Sequence, residues 1–526
     1  MAQLLRLVTA LGLAALAYTA GAWEHENSKV EFVEYREGLI EELRESERPY
    51  FLLFSAEWCF WCHQFGKFTL TDERVAQFLN KNYNNIFIDA DIHNAAYVKY
   101  RATGLPYTVF LNPDTSPHFR YSGTLYADDF LTVLKQVKTN VSQGLSVEGQ
   151  NAAALNYEAP KKLVREDLEN TVNGFRAGVL DSFDPVEHGL GKGEKAVYPR
   201  TFLHLLERAD GNDDAVTMLR KTLERAIEKI YDPVEGGFFR YAETREWKVP
   251  HYEKMADLNA GAVLLLHRVN ARSASPVLIK AADKTLSYLE TTLFNPEIGA
   301  FLSFQQADEH YYFIPSREDR AKAKAPAVIE KIFIDRLALT VTHLLDVLEF
   351  RPDDALRRKL ASSLEFVARE IRKGGKLKRF YAVESGTWSQ QATLQDYALV
   401  AEMFVRAAAR LGDPVYRDLA RRSVNAAIER FYDPRLGILT DPLLGGTDDA
   451  EVLTEVNGLL ATSMIALDQS DTYGSLIASI MTYFSAMGEV FEERVWEGRD
   501  WEFTERYVPY LQAATAYLRA ASVASN

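Results

Sequence analysis

The stretch FSAEWCFWCHQF, Phe54 to Phe65, contains both cysteines of the chain and decides the fold of its first part. An aromatic and apolar run, YFLLFSA, has the length of a buried strand and ends just before the cysteine pair. The residues after the pair, HQFGKFTLTDERVAQFLNKNY, carry apolar side chains at helical spacing. Two residues between the cysteines place both thiols within one helical turn, close enough to form a disulfide. The pattern predicts a strand, a dithiol at a helix start, and a helix.

Further strand and helix signals follow this stretch. NIFIDAD is a second short buried strand, and YVKYRATGLPYTVFLNP is a helix end that leads into a strand through Pro106. HFRYSG and ADDFLTVLKQVKTNV then supply one more strand and one more helix. Because strands alternate with helices, the sequence predicts an α/β module with a mixed sheet.

A W-C-x-x-C motif directly after a strand, with a proline before a later strand, resembles thioredoxin over about residues 30–140. The residues that carry the resemblance are Glu57, Trp58, Cys59, Cys62 and Pro106. The resemblance implies that Cys59 is the attacking thiol, that Cys62 is the resolving thiol, and that Pro106 is a cis-proline facing them.

The chemistry of the residues favours the same interpretation. A disulfide is attacked by a thiolate, and a cysteine at a helix N-terminus gains thiolate stability from the helix dipole. We therefore expect Cys59 to face solvent at a positively polarised helix tip, with Cys62 lying deeper. One residue departs from the thioredoxin pattern, since Leu53 occupies the position of the family's buried aspartate, six residues before Cys59. Proton transfer would then depend on Glu57, His63 or water.

Three other interpretations of the C-x-x-C-H motif compete with a redox dithiol. The motif is also the attachment signature of c-type haem, with His63 as the axial ligand. Cys59, Cys62 and His63, with His93 as a further ligand, could instead form part of a metal site, although such sites usually include a second clear ligand pair. A purely structural disulfide is the third possibility. A helix packed on a sheet leaves no obvious space for a porphyrin, and we favour a redox dithiol with no metal and no cofactor.

Composition limits the partners and the compartment. The chain has 526 residues, 47% of them hydrophobic, and a formal net charge of -14. This length predicts at least two domains, and the acidic balance argues against nucleic acid or anionic membrane surfaces as partners. MAQLLR, the apolar run LVTALGLAALAY and the small residues Ala20 to Ala22 predict a signal peptide over residues 1–22. We expect an exported, periplasmic or otherwise extracytoplasmic protein, or one anchored by an uncleaved N-terminal segment.

Beyond the predicted thioredoxin-like domain, residues 23–145, the sequence changes character. Residues 146–159 are small and polar and predict a linker, and residues 160–526 show mainly helical periodicity. A short phrase recurs after helices: FDPVEHGLG at Phe183, YDPVEGGFF at Tyr231, FNPEIGAFL at Phe294 and YDPRLGILT at Tyr432. Asp or Asn with Pro ends a helix, and Gly supplies a left-handed turn. Twelve helices in six hairpins predict a closed all-α (α/α)6 toroid, with an open solenoid as the alternative.

The whole mature chain resembles the spermatogenesis-associated, thioredoxin-domain family. The motifs that carry the resemblance are GLGKGEKAVYPRTFLHLL, GGFFRYAETREWKVPHYEKMADLNA, ATLQDYALV and TEVNGLLA. Its second half is similar to six-hairpin glycosidases and sugar epimerases, which implies a toroid mouth lined by Trp247, His251, Glu253, Lys254, Asn259, Asp308, Tyr312, Asp396, Tyr397, Glu455 and Asn457. Glycoside hydrolysis needs two carboxylates and epimerisation needs a base. Glu253, Asp396 and Glu455 could supply the acids, and His251 could supply the base.

These observations lead to one functional prediction and two alternatives. The prediction is an exported thiol–disulfide oxidoreductase whose toroid binds a partner protein or glycan. Its partners would be a disulfide-containing client protein and a thiol-donating redox partner. The alternatives are a carbohydrate-active enzyme with an accessory thioredoxin module and a non-enzymatic interaction scaffold with an inert disulfide.

Overall fold

The structure is a computed structural model that describes residues 28–43, 47–145, 159–207, 213–374, 376–444, 450–467, 470–488 and 501–524. The predicted signal peptide, residues 1–22, lies outside these ranges, as do all but the last residue of the predicted linker, 146–159. None of the helices described combines the length and the apolar character needed to cross a membrane.

The first domain is built on a five-stranded sheet. The strands are β1 Val33–Glu34, β2 Tyr50–Ser55, β3 Asn84–Asp89, β4 Tyr107–Leu111 and β5 Pro117–Ser122. Their order is β1-β3-β2-β4-β5, with β3 parallel to both β1 and β2, and with β4 antiparallel to both β2 and β5. Every residue of the central strand β2 is buried, as its continuous apolar sequence predicts. The predicted mixed sheet is confirmed.

Helices cover both faces of this sheet. They are α1 Leu39–Glu42, α2 Phe60–Phe65, α3 Glu73–Asn82, α4 Asn94–Lys99 and α5 Ala127–Ser142, and α2 continues as a π-helical turn over Gly66–Leu70. One face packs against α3 and α5 through a cluster that includes Phe51, Leu79 and Leu134. The other face packs against α1 and α4 through a cluster that includes Leu52 and Ile88. Successive residues of β2 thus enter opposite cores, as the pleat of a strand requires.

The helical part is a ring of six helix pairs. The outer helices are α6 Arg165–Asp181, α8 Asp214–Lys229, α10 Pro276–Tyr288, α14 Asp354–Arg372, α16 Pro414–Phe431 and α18 Ser470–Tyr483. The inner helices are α7 Pro199–Leu206, α9 Ala256–Arg272, α13 Ile334–Val347, α15 Leu394–Leu411, α17 Ala450–Ala466 and α19 Trp501–Ala524. The inner helices contact one another in that order, and α19 returns to α7, so the ring closes. The predicted (α/α)6 toroid is confirmed.

Short elements connect the helix pairs. A π-helical turn, Leu289–Leu293, extends α10, and a 3-10 turn covers Pro442–Leu444. The other short elements are β6 Tyr241–Ala242, β7 Pro250–His251, β8 Lys254–Met255, β9 Phe294–Asn295, β10 Ala300–Phe301, β11 Phe304–Gln305, α11 Glu309–Tyr312, α12 Arg317–Arg320, β12 Lys331–Phe333, β13 Lys378–Ala382, β14 Thr387–Gln391, β15 Tyr432–Asp433 and β16 Ile438–Leu439. The paired strands among them are antiparallel.

The recurring D-P or N-P phrase forms the same turn at each of its four positions. Each Asp or Asn side chain accepts a hydrogen bond from the backbone N–H two residues later, at 2.9–3.0 Å. The aromatic residue before it pairs in antiparallel fashion with a residue seven positions on. Each phrase therefore ends an outer helix and returns the chain through a tight hairpin toward the next inner helix.

Candidate functional site

The two cysteines form a disulfide at the start of helix α2. Cys59 is the N-cap of this helix, and its Sγ accepts a hydrogen bond from the Cys62 backbone N–H at 3.2 Å. The Cα atoms of Cys59 and Cys62 are 5.3 Å apart, a usual separation for a disulfide. Both sulfurs therefore sit within one helical turn, as the C-x-x-C spacing predicts.

The toroid buries this disulfide. Cys59 is only 3% exposed and Cys62 only 4% exposed, so the expectation of a solvent-facing Cys59 sulfur is wrong. Both cysteines belong to an apolar cluster to which the toroid contributes Met255, Phe304, Ile329, Phe333, Phe380 and Ala382. The physical reason is that the strands β8, β11, β12 and β13 of the toroid supply one continuous apolar surface, which covers the face of the first domain that carries the dithiol.

Polar contacts fix the two domains to each other around the disulfide. They are the bonds from the Phe60 N–H to Glu253 Oε1 (3.2 Å), from Gln306 Nε2 to the Glu57 carbonyl (3.0 Å), from Lys331 Nζ to Glu57 Oε2 (2.9 Å) and from Arg379 Nε to the Asp91 carbonyl (3.1 Å). All four join the first domain to the chain that leads into or connects the inner helices. The dithiol face is therefore docked on one end of the toroid.

Trp58, next to Cys59, lies inside this interface. Its Nε1–H donates to Asp91 Oδ2 at 2.7 Å, and its ring lies 5.8 Å from the Phe304 ring, centroid to centroid. The Arg240 guanidinium of the toroid lies over the same indole at 4.8 Å. With an exposed fraction of 5%, Trp58 is held on one side by its own domain and on the other by the toroid.

The remaining predicted residues of the first domain surround the dithiol. His63 Nε2 lies 2.7 Å from the Glu57 carbonyl oxygen, which makes that ring nitrogen the donor. The peptide bond between Leu105 and Pro106 is cis, and Leu105 packs against the cluster that contains both cysteines. The structure thus brings together the six residues singled out in this domain, namely Glu57, Trp58, Cys59, Cys62, His63 and Pro106.

Buried acids lie beside the dithiol face. Asp89 ends strand β3, is 4% exposed, and has its pKa raised to about 7, because burial disfavours its charge and Asp91 adds repulsion that outweighs the attraction of Lys331. Burial also raises the pKa of Asp91.

Among the described residues, no group of three His, Cys, Asp or Glu side chains is placed to hold a metal ion.

Four of the predicted toroid residues stabilise its turns. Asn259 and Asn457 are fully buried, and each amide side chain bonds both the N–H and the carbonyl of a hairpin residue, Phe238 and Leu439 respectively. Trp247 is 1% exposed and donates from Nε1 to the Glu187 carbonyl at 2.9 Å. Lys254 binds Asp232 Oδ2 at 2.8 Å, and its pKa is lowered to about 8 by burial.

Asp396 and Glu455 belong to two separate buried ion networks. Asp396 caps helix α15 by accepting the Thr393 N–H at 2.7 Å, and it forms an ion pair with Arg379. Burial raises its pKa to about 6. Glu455 pairs with Arg200 at 3.1 Å, and the same guanidinium binds Glu402 at 3.2 Å.

The other predicted mouth residues have local partners. The Tyr397 hydroxyl accepts from the Leu377 N–H at 3.0 Å. Asp308 caps helix α11 by accepting the Tyr311 N–H at 3.0 Å, and the Tyr312 hydroxyl donates to Gln305 Oε1 at 3.2 Å.

His251 lines a cleft between the two domains. Its ring stacks on Tyr241 at 4.0 Å, and its Nε2 lies 2.9 Å from Glu243 Oε1. The cleft has a volume of about 800 Å³, and its lining includes Phe60, Trp61, Phe68, Tyr126, His251 and Tyr252. Glu253 faces the Phe60 amide, whereas Asp396 and Glu455 lie in their own ion networks. The four candidate acids and bases of the toroid therefore have different partners and do not share one pocket.

Sequence reasoning missed the residues that join the domains, chiefly Asp91, Gln306, Lys331 and Arg379. Asp91 follows the NIFIDA strand, and its proximity to the dithiol could have been inferred from the edge at which that strand ends. The three toroid residues carry no such signal, because their partners are more than 240 positions away in sequence.

A family model for the thioredoxin-like domain matches residues 38–138. The human spermatogenesis-associated protein 20 is 24% identical over 335 residues, which cover 57% of this chain and 41% of that protein. The chain is similar in sequence to the spermatogenesis-associated, thioredoxin-domain family. It spans less than half the length of this relative.

Two further proteins resemble separate parts of the chain. A protein disulfide-isomerase of Schizosaccharomyces pombe is 28% identical over 156 residues, 28% of this chain and 42% of that protein. The structure of cellobiose 2-epimerase from Spirochaeta thermophila covers 69% of this chain and 97% of its own, with a TM-score of 0.53 and 15% sequence identity. At that identity the likeness shows the six-hairpin fold of the toroid alone.

Proposed function

We propose that this protein is a thiol–disulfide oxidoreductase whose toroid controls access to the dithiol. The observation that carries the proposal is the Cys59–Cys62 disulfide at a helix start in a thioredoxin-like domain, buried under the toroid. The likeness to a protein disulfide-isomerase supports a redox-type module. Export to the periplasm or another extracytoplasmic space is part of the proposal, because it would supply disulfide-containing clients.

The exchange proceeds in two balanced steps. The Cys59 thiolate attacks one sulfur of a client disulfide, which forms a mixed disulfide and releases one client thiolate. The Cys62 thiolate then attacks Cys59 Sγ, which forms the Cys59–Cys62 bond and releases the second client thiolate. Two electrons pass from the dithiol to the client, and a thiol-donating partner restores the dithiol by the reverse exchange.

Because both cysteines are buried, the first step requires the toroid to move off the dithiol face. The bonds at Gln306 and Lys331 and the apolar contacts of Met255 and Phe304 must then be broken transiently. A client that binds the toroid, either as a protein or through a glycan, could stabilise the open arrangement, because a ligand shifts a conformational equilibrium only by its differential affinity. The toroid would thus select clients.

The test is reduction of insulin by the full-length protein in the presence of a thiol donor. We expect turnover by the wild type and none above background by Cys59→Ser. Gln306→Ala removes one bond across the interface, worth about 1 kcal/mol, and should raise the rate about fivefold if opening limits it. Gln143→Ala, on the exposed end of helix α5, is the matched control. Equal rates for the wild type and Cys59→Ser would contradict the proposed function.

The second candidate is a carbohydrate-active toroid, and the six-hairpin fold is the observation that favours it. Arg200, surrounded by Glu402, Glu455 and Glu505, provides charged groups at the inner helices. If the toroid is such an enzyme, the wild type and Cys59→Ser should epimerise a reducing disaccharide at the same rate, as measured by chromatography. If no sugar product forms in either protein, the candidate is excluded for that substrate class.

A further inference from the structure

Among the residues that the structure describes, Glu253 is the toroid carboxylate that bonds the dithiol helix directly. It is 1% exposed and directly precedes strand β8, and its Oε1 accepts from the Phe60 N–H at 3.2 Å. That amide belongs to the peptide bond formed by the Cys59 carbonyl group. Met255, two residues after Glu253, packs in the same apolar cluster as both cysteines. The carboxylate therefore lies at the helix end that carries Cys59.

No described residue donates a hydrogen bond to the second oxygen of this carboxylate. Glu253 Oε2 is buried and accepts no hydrogen bond from any described residue. An unsatisfied buried carboxylate oxygen is costly, and a charged one more so. In the oxidised protein neither sulfur carries a hydrogen atom. Reduction of the disulfide creates two S–H groups at this helix end, and an S–H group is a hydrogen-bond donor.

The other charged groups around the dithiol already have partners. Glu57 pairs with Lys331, His63 bonds the Glu57 carbonyl, and Asp91 accepts from Trp58. Asp89 accepts from the backbone N–H groups of Asp91 and Ile92. Arg379 pairs with Asp335 and Asp396, and Arg240 lies over the Trp58 ring. The neighbours of Glu253 in sequence, His251 and Lys254, bind Glu243 and Asp232. Among the described residues, Glu253 is thus the acid at the dithiol helix with an oxygen left to accept a proton.

We propose that Glu253 is the proton acceptor of the reduced dithiol, taking the proton from the Cys59 thiol while the toroid still covers the dithiol face and returning it when the toroid docks again and the thiol re-forms. The transfer is Cys59–SH with Glu253–COO⁻ to Cys59–S⁻ with Glu253–COOH, and the number of protons is unchanged. This inference rests on the proposed function, because it describes how the same dithiol loses and regains its proton. It means that the toroid supplies a chemical group to the thioredoxin-like domain.

The proposal has a measurable electrostatic consequence. A thiolate and a carboxylate placed together in a buried site repel each other, so one shared proton is held over a wide pH range. Glu253→Gln retains an oxygen for the Phe60 N–H but has no charge. In this variant we expect the pKa of the Cys59 thiol to fall by about one unit, so that its alkylation at pH 7 becomes about tenfold faster.

The experiment measures the rate of iodoacetamide alkylation of Cys59 from pH 5 to pH 10, in the full-length protein carrying Cys62→Ser. Glu253→Gln should shift the pH profile of alkylation to lower pH, and Glu253→Asp should restore the profile of the Cys62→Ser parent in part. Glu246→Gln, at an exposed position, should give the same profile as the parent. Superimposable profiles for Glu253→Gln and its parent would overturn the proposal. An alkylation rate of Glu253→Gln that is higher than that of the parent by the same factor at every pH would also overturn the proposal. It would show that Glu253 only holds the domains together.

Alkylation requires neither a client nor turnover. The role of Glu253 can therefore fail while insulin reduction succeeds, and insulin reduction can fail while the pH profile still shifts. A thermal melt of each variant, compared with that of the parent protein, checks that the fold is retained.

Discussion

Asp89 ends strand β3 beneath the dithiol face, and its carboxylate accepts the backbone N–H groups of Asp91 and Ile92, both at 3.0 Å. Burial raises its pKa from 3.8 to about 7. The charged groups that face it are Asp91, which raises the pKa further, Lys331, which lowers it, and Glu34, whose carboxylate repels that of Asp89. Between pH 4 and pH 7 the folded protein therefore binds a proton that the unfolded chain releases.

This difference sets the sign of a pH effect at Asp89. Stability is highest below the unfolded-state pKa and is lost as the pH rises through the folded-state pKa, because the folded state holds the extra proton. Asp89→Asn keeps the oxygen that accepts both N–H groups but cannot ionise. We expect its melting temperature to fall less than that of the wild type between pH 5 and pH 8, as measured by scanning calorimetry. A steeper fall in the variant would contradict this assignment.

Single residues also show what the sequence can and cannot predict at this scale. The pairing of Cys59 with Cys62 follows from a spacing of three, which is a local property of the chain. The burial of the same pair depends on Met255, Phe304 and Phe380, which are about 200 to 320 positions away in sequence. No local pattern marks those apolar residues as partners of a dithiol, so the expected solvent exposure was wrong.

At the scale of elements, the recurring turn is the feature that the sequence predicts best. Each Asp or Asn side chain accepts a hydrogen bond from the backbone N–H two residues later. Each Gly that closes the turn has a positive φ, for example 89° at Gly236. These requirements are local, so the order of residues within each turn is enough to predict it. The strands β8 and β11, which cover the dithiol, are only two residues long, too short for any periodicity to show.

Gly236 provides a test of the turn. A Cβ at this position would collide with the Lys284 carbonyl oxygen, and an L side chain is strained at its φ. We expect Gly236→Ala to reduce the free energy of unfolding of the toroid by about 1–3 kcal/mol. The control is Gly193→Ala, where a Cβ meets no atom within 4 Å. Denaturant unfolding followed by circular dichroism should separate the two variants, and equal midpoints would show that the turn tolerates a side chain.

At the scale of the whole molecule, the closed ring and the docked first domain form a single arrangement. The toroid could be predicted because long helical segments alternate with a recurring turn, and six hairpins can close without exposed repeat ends. The docking could not be predicted, since it depends on the apolar cluster around Met255 and on single bonds such as that between Lys331 and Glu57. This interface turns an ordinary C-x-x-C helix into one that is covered and that is bonded by a toroid carboxylate.

The most direct test of a redox-active dithiol beneath the toroid is trapping with Cys62→Ser, which removes the resolving thiol. The full-length variant is incubated with oxidised client proteins, and disulfide-linked adducts are identified by non-reducing electrophoresis and mass spectrometry. We predict adducts that are joined through Cys59 and that disappear in Cys59→Ser. Absence of any adduct, or an equal yield from the two variants, would contradict it.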